Sequence, residues 1–142
     1  MKNKTQSVKS LCLIAMLLLC GCSKSGLDLA PLTGKVTYQG KNLTHGKVVL
    51  MPSGETTGPP GLGQIEADGT YSISTTQQSG AIVGTHKVTV TCRREPTEQE
   101  RQGMVITPLL TPAQYANEMT TPLTVTVEPG GSTFNIELLP KQ

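Results

Sequence analysis

The stretch Gln64–Thr75, Q-I-E-A-D-G-T-Y-S-I-S-T, decides the fold class of this chain. Two short runs flank Asp68-Gly69, and in the second run Tyr71 and Ile73 alternate with polar residues. Successive side chains of a pleated strand point to opposite faces, so this alternation marks a strand with one buried side. Asp-Gly tolerates the positive φ of a tight turn, which predicts a hairpin of Gln64–Ala67 and Thr70–Thr75 with Tyr71 and Ile73 inward.

The same pattern extends in both directions. Upstream, Leu32–Tyr38 sets Leu32, Gly34, Val36 and Tyr38 on one face and Thr33, Lys35 and Thr37 on a solvated one. After a turn at Gln39–Asn42, Gly46–Pro52 carries Val48 and Leu50 inward; Val49 and Met51 make it apolar on both faces, as a central or covered strand requires. Ser53–Gly63 is rich in Gly and Pro and reads as a loop. Downstream, Gln77–Thr85 is a polar loop whose Ala81-Ile82-Val83 caps the core, and His86–Arg93 is a strand with Val88, Val90 and Cys92 inward. Glu95–Gly103 is charged and is expected to be a mobile loop or docking surface. Thr111-Pro112-Ala113-Gln114 resembles a helix start of one or two turns, with Thr as cap and Pro first. The chain closes with Leu123–Glu128 and Thr133–Leu139, read as a last hairpin about Pro129-Gly130-Gly131, with Leu123, Val125, Val127, Phe134, Ile136 and Leu138 inward. About seven short strands with one apolar face each, and no long helical period, predict an all-β sandwich over residues 32–140.

The amino terminus follows another logic. Lys2, Lys4 and Lys9 form a basic leader, Leu11–Cys20 an apolar run too short to span a bilayer, and Gly21 a small residue at a cleavage point. Residues 1–21 therefore read as a secretory signal peptide. Leu19-Cys20-Gly21-Cys22 resembles the lipobox of bacterial lipoproteins. That resemblance implies cleavage before Cys22, diacylglycerol on its thiol and acylation of the new amino terminus. Cys20 fits less well, because bulky Leu19 would precede it. Residues 22–31 then form the lipidated cysteine and a short tether, about 30 Å at full stretch. Ser23 is not the acidic residue that retains many lipoproteins at the inner membrane, so the outer membrane is favoured within the cell envelope.

Processing changes the charge. Of 12 Lys and Arg, three leave with the leader while all 10 acidic residues stay, giving 9 − 10 = −1. A near-neutral domain lacks the clustered basic surface that nucleic acid requires. With Cys12 and Cys20 in the leader and Cys22 a thioether, Cys92 is the one remaining thiol and no internal disulfide forms.

Across the mature chain, T-G-K-V-T-Y-Q-G-K-N-L (Thr33–Leu43), G-K-V-V-L-M-P (Gly46–Pro52), A-D-G-T-Y-S-I (Ala67–Ile73), G-T-H-K-V-T-V (Gly84–Val90) and the close Pro122–Leu138 resemble carboxypeptidase-regulatory-like and transthyretin-like domains. The resemblance implies a seven-strand Greek-key, prealbumin-like fold and no catalytic residues. Its enzyme branch, the 5-hydroxyisourate hydrolases, carries a terminal Tyr-Arg-Gly-Ser, where this chain ends Leu138-Leu139-Pro140-Lys141-Gln142.

Chemistry-bearing residues are few. His45 sits in a turn and reads as an exposed loop residue. His86 and Cys92 share the inward face of one strand, but six residues of strand separate them by roughly 20 Å, too far for one metal ion. No cofactor or metal is expected. Glycan sites use exposed aromatic faces; Trp is absent, and of Tyr38, Tyr71, Tyr115 and Phe134 only Tyr115 lies off the inward faces. The sequence thus reads as a non-enzymatic envelope lipoprotein, held to the membrane at Cys22, acting as an interaction or structural module with an envelope protein or glycan partner. A glycan-binding module is the alternative, and a 5-hydroxyisourate-hydrolase-like enzyme comes third.

Overall fold

The computed structural model describes residues 26–140; the expected signal peptide (1–21), Cys22 and the start of the expected tether lie outside the described residues. The chain is all-β and sandwich-like. Its strands are β1 (Leu29–Ala30), β2 (Leu32–Tyr38), β3 (Lys41–Asn42), β4 (Lys47–Pro52), β5 (Gly61–Ile65), β6 (Thr70–Thr75), β7 (Gln78–Ser79), β8 (Ala81–Ile82), β9 (Gly84–Thr91), β10 (Thr124–Val127), β11 (Ser132–Thr133) and β12 (Ile136–Leu138). Two short helical segments, α1 (Glu98–Gln102) and a 3₁₀ turn (Ala113–Ala116), interrupt the long passage from β9 to β10.

The main sheet runs β10-β9-β4-β5-β6-β2-β11, with β12 and β3 also on β2 and β7 on β6; β1 pairs with β8. Neighbours are antiparallel except β11 and β12, which lie parallel to β2. Alternation sorts the faces as the sequence predicts. Leu32, Val36, Val48, Leu50, Tyr71, Ile73, Val88, Val90, Val125, Val127, Ile136 and Leu138 are buried in one cluster. Each buried aliphatic side chain contributes about 1.5–3 kcal/mol relative to exposure, and in this one-thiol domain such packing holds the sheet together.

Several expectations need correction. The first hairpin strand is Gly61–Ile65 rather than Gln64–Ala67. Gly61 and Gly63 read as loop residues, yet they let β5 press on β6: a Cβ on either would stand 2.7 or 2.8 Å from Ile73 side-chain atoms. The turn is also wider than Asp68-Gly69. Glu66 N–H donates to Thr70 O at 2.8 Å and Gly69 N–H to Glu66 O at 2.9 Å, with Gly69 at φ +85°. This is a three-residue loop with glycine in the left-handed position. The last two segments form no hairpin: β10 pairs with β9, whereas β11 and β12 pair with β2. Pro129-Gly130-Gly131 instead links opposite margins of the strand order, so the sheet curls until they meet. Ser132 N–H donates to Pro31 O at 2.8 Å and Glu128 N–H to Ser132 Oγ at 3.0 Å across that seam. Finally, the fold begins before Leu32. Leu29 and Ala30 pair with Ile82 and Ala81, and Ala30 is buried, so the tether ends near Asp28.

Strand directions give the domain two ends. β2, β5, β9 and β12 run away from the amino terminus, and β4, β6 and β10 run back toward it. The near end carries residues 26–31 and the loops 53–60, 76–83 and 128–131. The far end carries the turns 39–46 and 66–69 and the whole passage 92–123.

Candidate functional site

The far end holds most of the reactive and exposed side chains. Leaving β9, the chain folds back on itself: Arg94 N–H donates to Pro108 O at 3.0 Å and Leu110 N–H to Cys92 O at 2.9 Å. At the tip of this extension stands α1. Thr97 caps it, its Oγ1 accepting from Glu100 N–H at 3.4 Å while Thr97 N–H donates to Glu100 Oε2 at 2.8 Å. That reciprocal pair satisfies two otherwise orphaned donors. Arg94 grips the same carboxylate with both arms, Nη1 to Oε2 at 3.1 Å and Nη2 to Oε1 at 2.7 Å. The Arg94 guanidinium, followed by the Thr97 donors, holds the Glu100 carboxyl down at about 2, and Glu100 in turn pushes Arg94 up. Within the segment Glu95–Gly103, expected as a loop, Glu98–Gln102 form a short turn of helix. Thr97-x-x-Glu100 was the sequence signal for it.

Beside this extension lies a groove of about 410 Å³ between His45, Lys47, Arg93, Arg94, Glu95 and Thr107. His45 is half-buried rather than free. Its Nε2 lies 2.8 Å from Arg93 O and 3.6 Å from Cys92 Sγ. A carbonyl only accepts, so Nε2 carries the proton and donates it to Arg93 O. Nε2 then offers no lone pair to the thiol, and burial pushes Cys92 up, away from the thiolate. Cys92 and His45 thus make a structural contact, not an activated nucleophile. Arg93 Nη1 donates to Thr107 O at 2.6 Å. Lys47 is exposed and makes no ion pair among the described residues.

The other singled-out residues lie apart. His86 is fully buried at the near end of β9, donating Nε2–H to Ile82 O at 2.7 Å, while Cys92 is beyond the far end of the same strand. Among the described residues no three His, Cys, Asp or Glu side chains are grouped to hold a metal ion. Tyr115 is not a free aromatic platform. It is 4% exposed, and its hydroxyl accepts from Leu139 N–H at 3.2 Å. Thr111 does not cap the 3₁₀ turn; its Oγ1 is buried without a partner. Tyr71 is buried with its hydroxyl donating to Phe134 O at 2.6 Å, and Tyr38 and Phe134 are half-buried against the core. Cys22 lies outside the described residues.

Apolar exposure is also one-sided. Met104 (90% exposed), Val105, Ile106 (81%), Leu110, Met119 (87%) and Leu139 all belong to the far end, against Leu27 at the near end and Leu62 on the outer sheet face. Composition alone misses this asymmetry, because it depends on which strands reverse where. No helix of the described residues is long and apolar enough to cross a membrane. No protein-family model matches the chain, and comparison with curated proteins and with solved structures returns no match either.

Proposed function

We propose that the chain is a lipid-anchored protein of the bacterial cell envelope, held at an acylated Cys22, whose domain is a non-enzymatic interaction module of the Greek-key, transthyretin-like kind. The observation that carries this reading is the polarity of the domain. The amino-terminal residues enter at one end, while the groove and most of the exposed large apolar side chains belong to the other. From Cys22 to β1 the chain reaches about 25 Å at most, so an anchored domain stands with its near end to the bilayer and its far end outward. The two or more acyl chains implied by the lipobox suffice for stable anchoring, where one alone binds marginally. Seven strands of three or more residues, with the last parallel to β2, support the Greek-key part of the reading. Burial of Tyr115 removes the stacking face on which the glycan alternative depends.

The test is orientation on the native membrane. A dye placed at Thr57 should be quenched by headgroup-attached quenchers, a dye at Gln99 should not, and Cys22→Ala should release the protein from the membrane fraction. Equal quenching at both positions, or full membrane retention of Cys22→Ala, contradicts the reading.

A further inference from the structure

The solvent face of the main sheet is built from rungs fixed by register. One rung is Thr91, Lys47, Gln64 and Ser72; the next is Thr89, Val49, Leu62 and Ser74. Between Lys47, Leu62, Gln64 and Ser74, over the backbone of Gly63, lies a hollow of about 270 Å³. Lys47 also lines the 410 Å³ groove at the far end. The two depressions therefore meet at one side chain. Leu62 is 54% exposed on a sheet face otherwise rich in hydroxyl and amide groups, and it borders the smaller hollow.

The groove is lined by Lys47, Arg93, Arg94 and Glu95, a cationic excess. Arg94 is bound by Glu100, and Arg93 donates to Thr107 O. Lys47 and Arg93 are the track's cations without an ion pair among the described residues, and of the two only Lys47 lines both depressions. A complementary ligand places an anionic group over Lys47 and an apolar group against Leu62. Side chains on one face of an extended peptide recur every two residues, about 6.6–6.8 Å apart, the same repeat that separates the two rungs. Two unpaired cations are too few for a nucleic-acid backbone. No exposed aromatic face is present in the track to stack a sugar ring.

We propose that the two depressions joined at Lys47 form one docking track for an extended peptide segment of a partner protein, which carries an acidic and an apolar side chain two residues apart on one face. The proposal deepens the interaction-module reading and rests on it, but it is independent of how the chain meets the membrane.

The experiment uses the mature protein in nanodiscs, with empty nanodiscs as blank, and fluorescein-labelled Ser-Glu-Ser-Val-Ser and Ser-Lys-Ser-Val-Ser peptides read by anisotropy. The glutamate peptide should bind more tightly than its lysine counterpart by about tenfold, and Lys47→Glu should abolish that preference. Leu62→Ser should weaken the glutamate peptide several-fold with no change in salt dependence. Both positions are exposed, so both variants should keep the wild-type circular dichroism and melting temperature. Equal binding of the two peptides, no binding of either, or an unchanged preference in Lys47→Glu overturns the track. Lys47-dependent binding of an oligogalacturonate in place of the peptide overturns its assignment to protein. Failure here leaves the quenching pattern of the anchored domain intact, so the two readings fall separately.

Discussion

Phe134 contributes a carbonyl, more than a ring, to the tightest point of the fold. Tyr71 donates its hydroxyl to that oxygen, and Gly34 leaves the space in which the oxygen sits: a Cβ at Gly34 would collide with it. Gly34→Ala should therefore destabilise the domain by about 1–3 kcal/mol in urea unfolding, since the obstacle is backbone and cannot rotate away. Gly130→Ala, with nothing within 4 Å, should be nearly neutral. Equal effects would disprove the crowding at Phe134. Cys92 makes a second test at this scale. Buried and facing a proton-bearing His45 nitrogen, its thiol should react with iodoacetamide at least about tenfold more slowly in the native than in the unfolded chain. Rapid native labelling would place it outward. Its inward register was legible, because Val88, Val90 and Cys92 alternate with polar residues. The His45 contact and the role of Gly34 were not, because each depends on a partner far along the chain.

Among the elements, α1 is the one whose stability rests on a few nameable bonds. Thr97→Ala removes the cap and should cost about 0.5–2 kcal/mol of local helix stability, read as faster amide exchange at Glu100 and Arg101 with an unchanged core. Glu100 sets its pH response. Its carboxyl titrates at about 2 in the folded chain against an ordinary 4.5, so its stabilising effect is complete above about pH 4.5 and is lost as pH falls toward 2. Amide exchange in α1 should accelerate across that window, and Arg94→Ala should shift the acceleration to higher pH. An Arg94→Ala variant with the wild-type profile would show that the ion pair does not set it. The Thr-x-x-Glu signal was present in the sequence, but the density of charge around it reads as a loop. The same conflict misplaced β5, where Gly61 and Gly63 signal close strand approach rather than a turn. Pro129-Gly130-Gly131 has hairpin chemistry, yet partner choice is non-local, and the curl of the sheet sends β11 to β2.

For the whole molecule, the inward faces were readable because the period-2 pattern is strong in β2, β4, β6 and β9; strand order, where the domain begins and which end faces outward were not. Leu29 and Ala30 carry too short a pattern to mark a strand, and only their pairing with β8 shows that they belong to the fold. A chain starting at Leu32 should be less stable than one starting at Gly26 by about 1–3 kcal/mol, from lost burial of Ala30 and lost strand hydrogen bonds. Equal unfolding midpoints would return these residues to the tether. That short tether, together with the far-end placement of the groove and apolar side chains, makes the anchor the premise of the proposed function. The most direct measurement is the intact mass of the protein extracted from its native envelope. The account predicts a chain that begins at Cys22, lacks residues 1–21 and carries the added mass of diacylglycerol and an amide-linked acyl group. A chain with an unmodified Cys22, or one retaining residues 1–21, would contradict it.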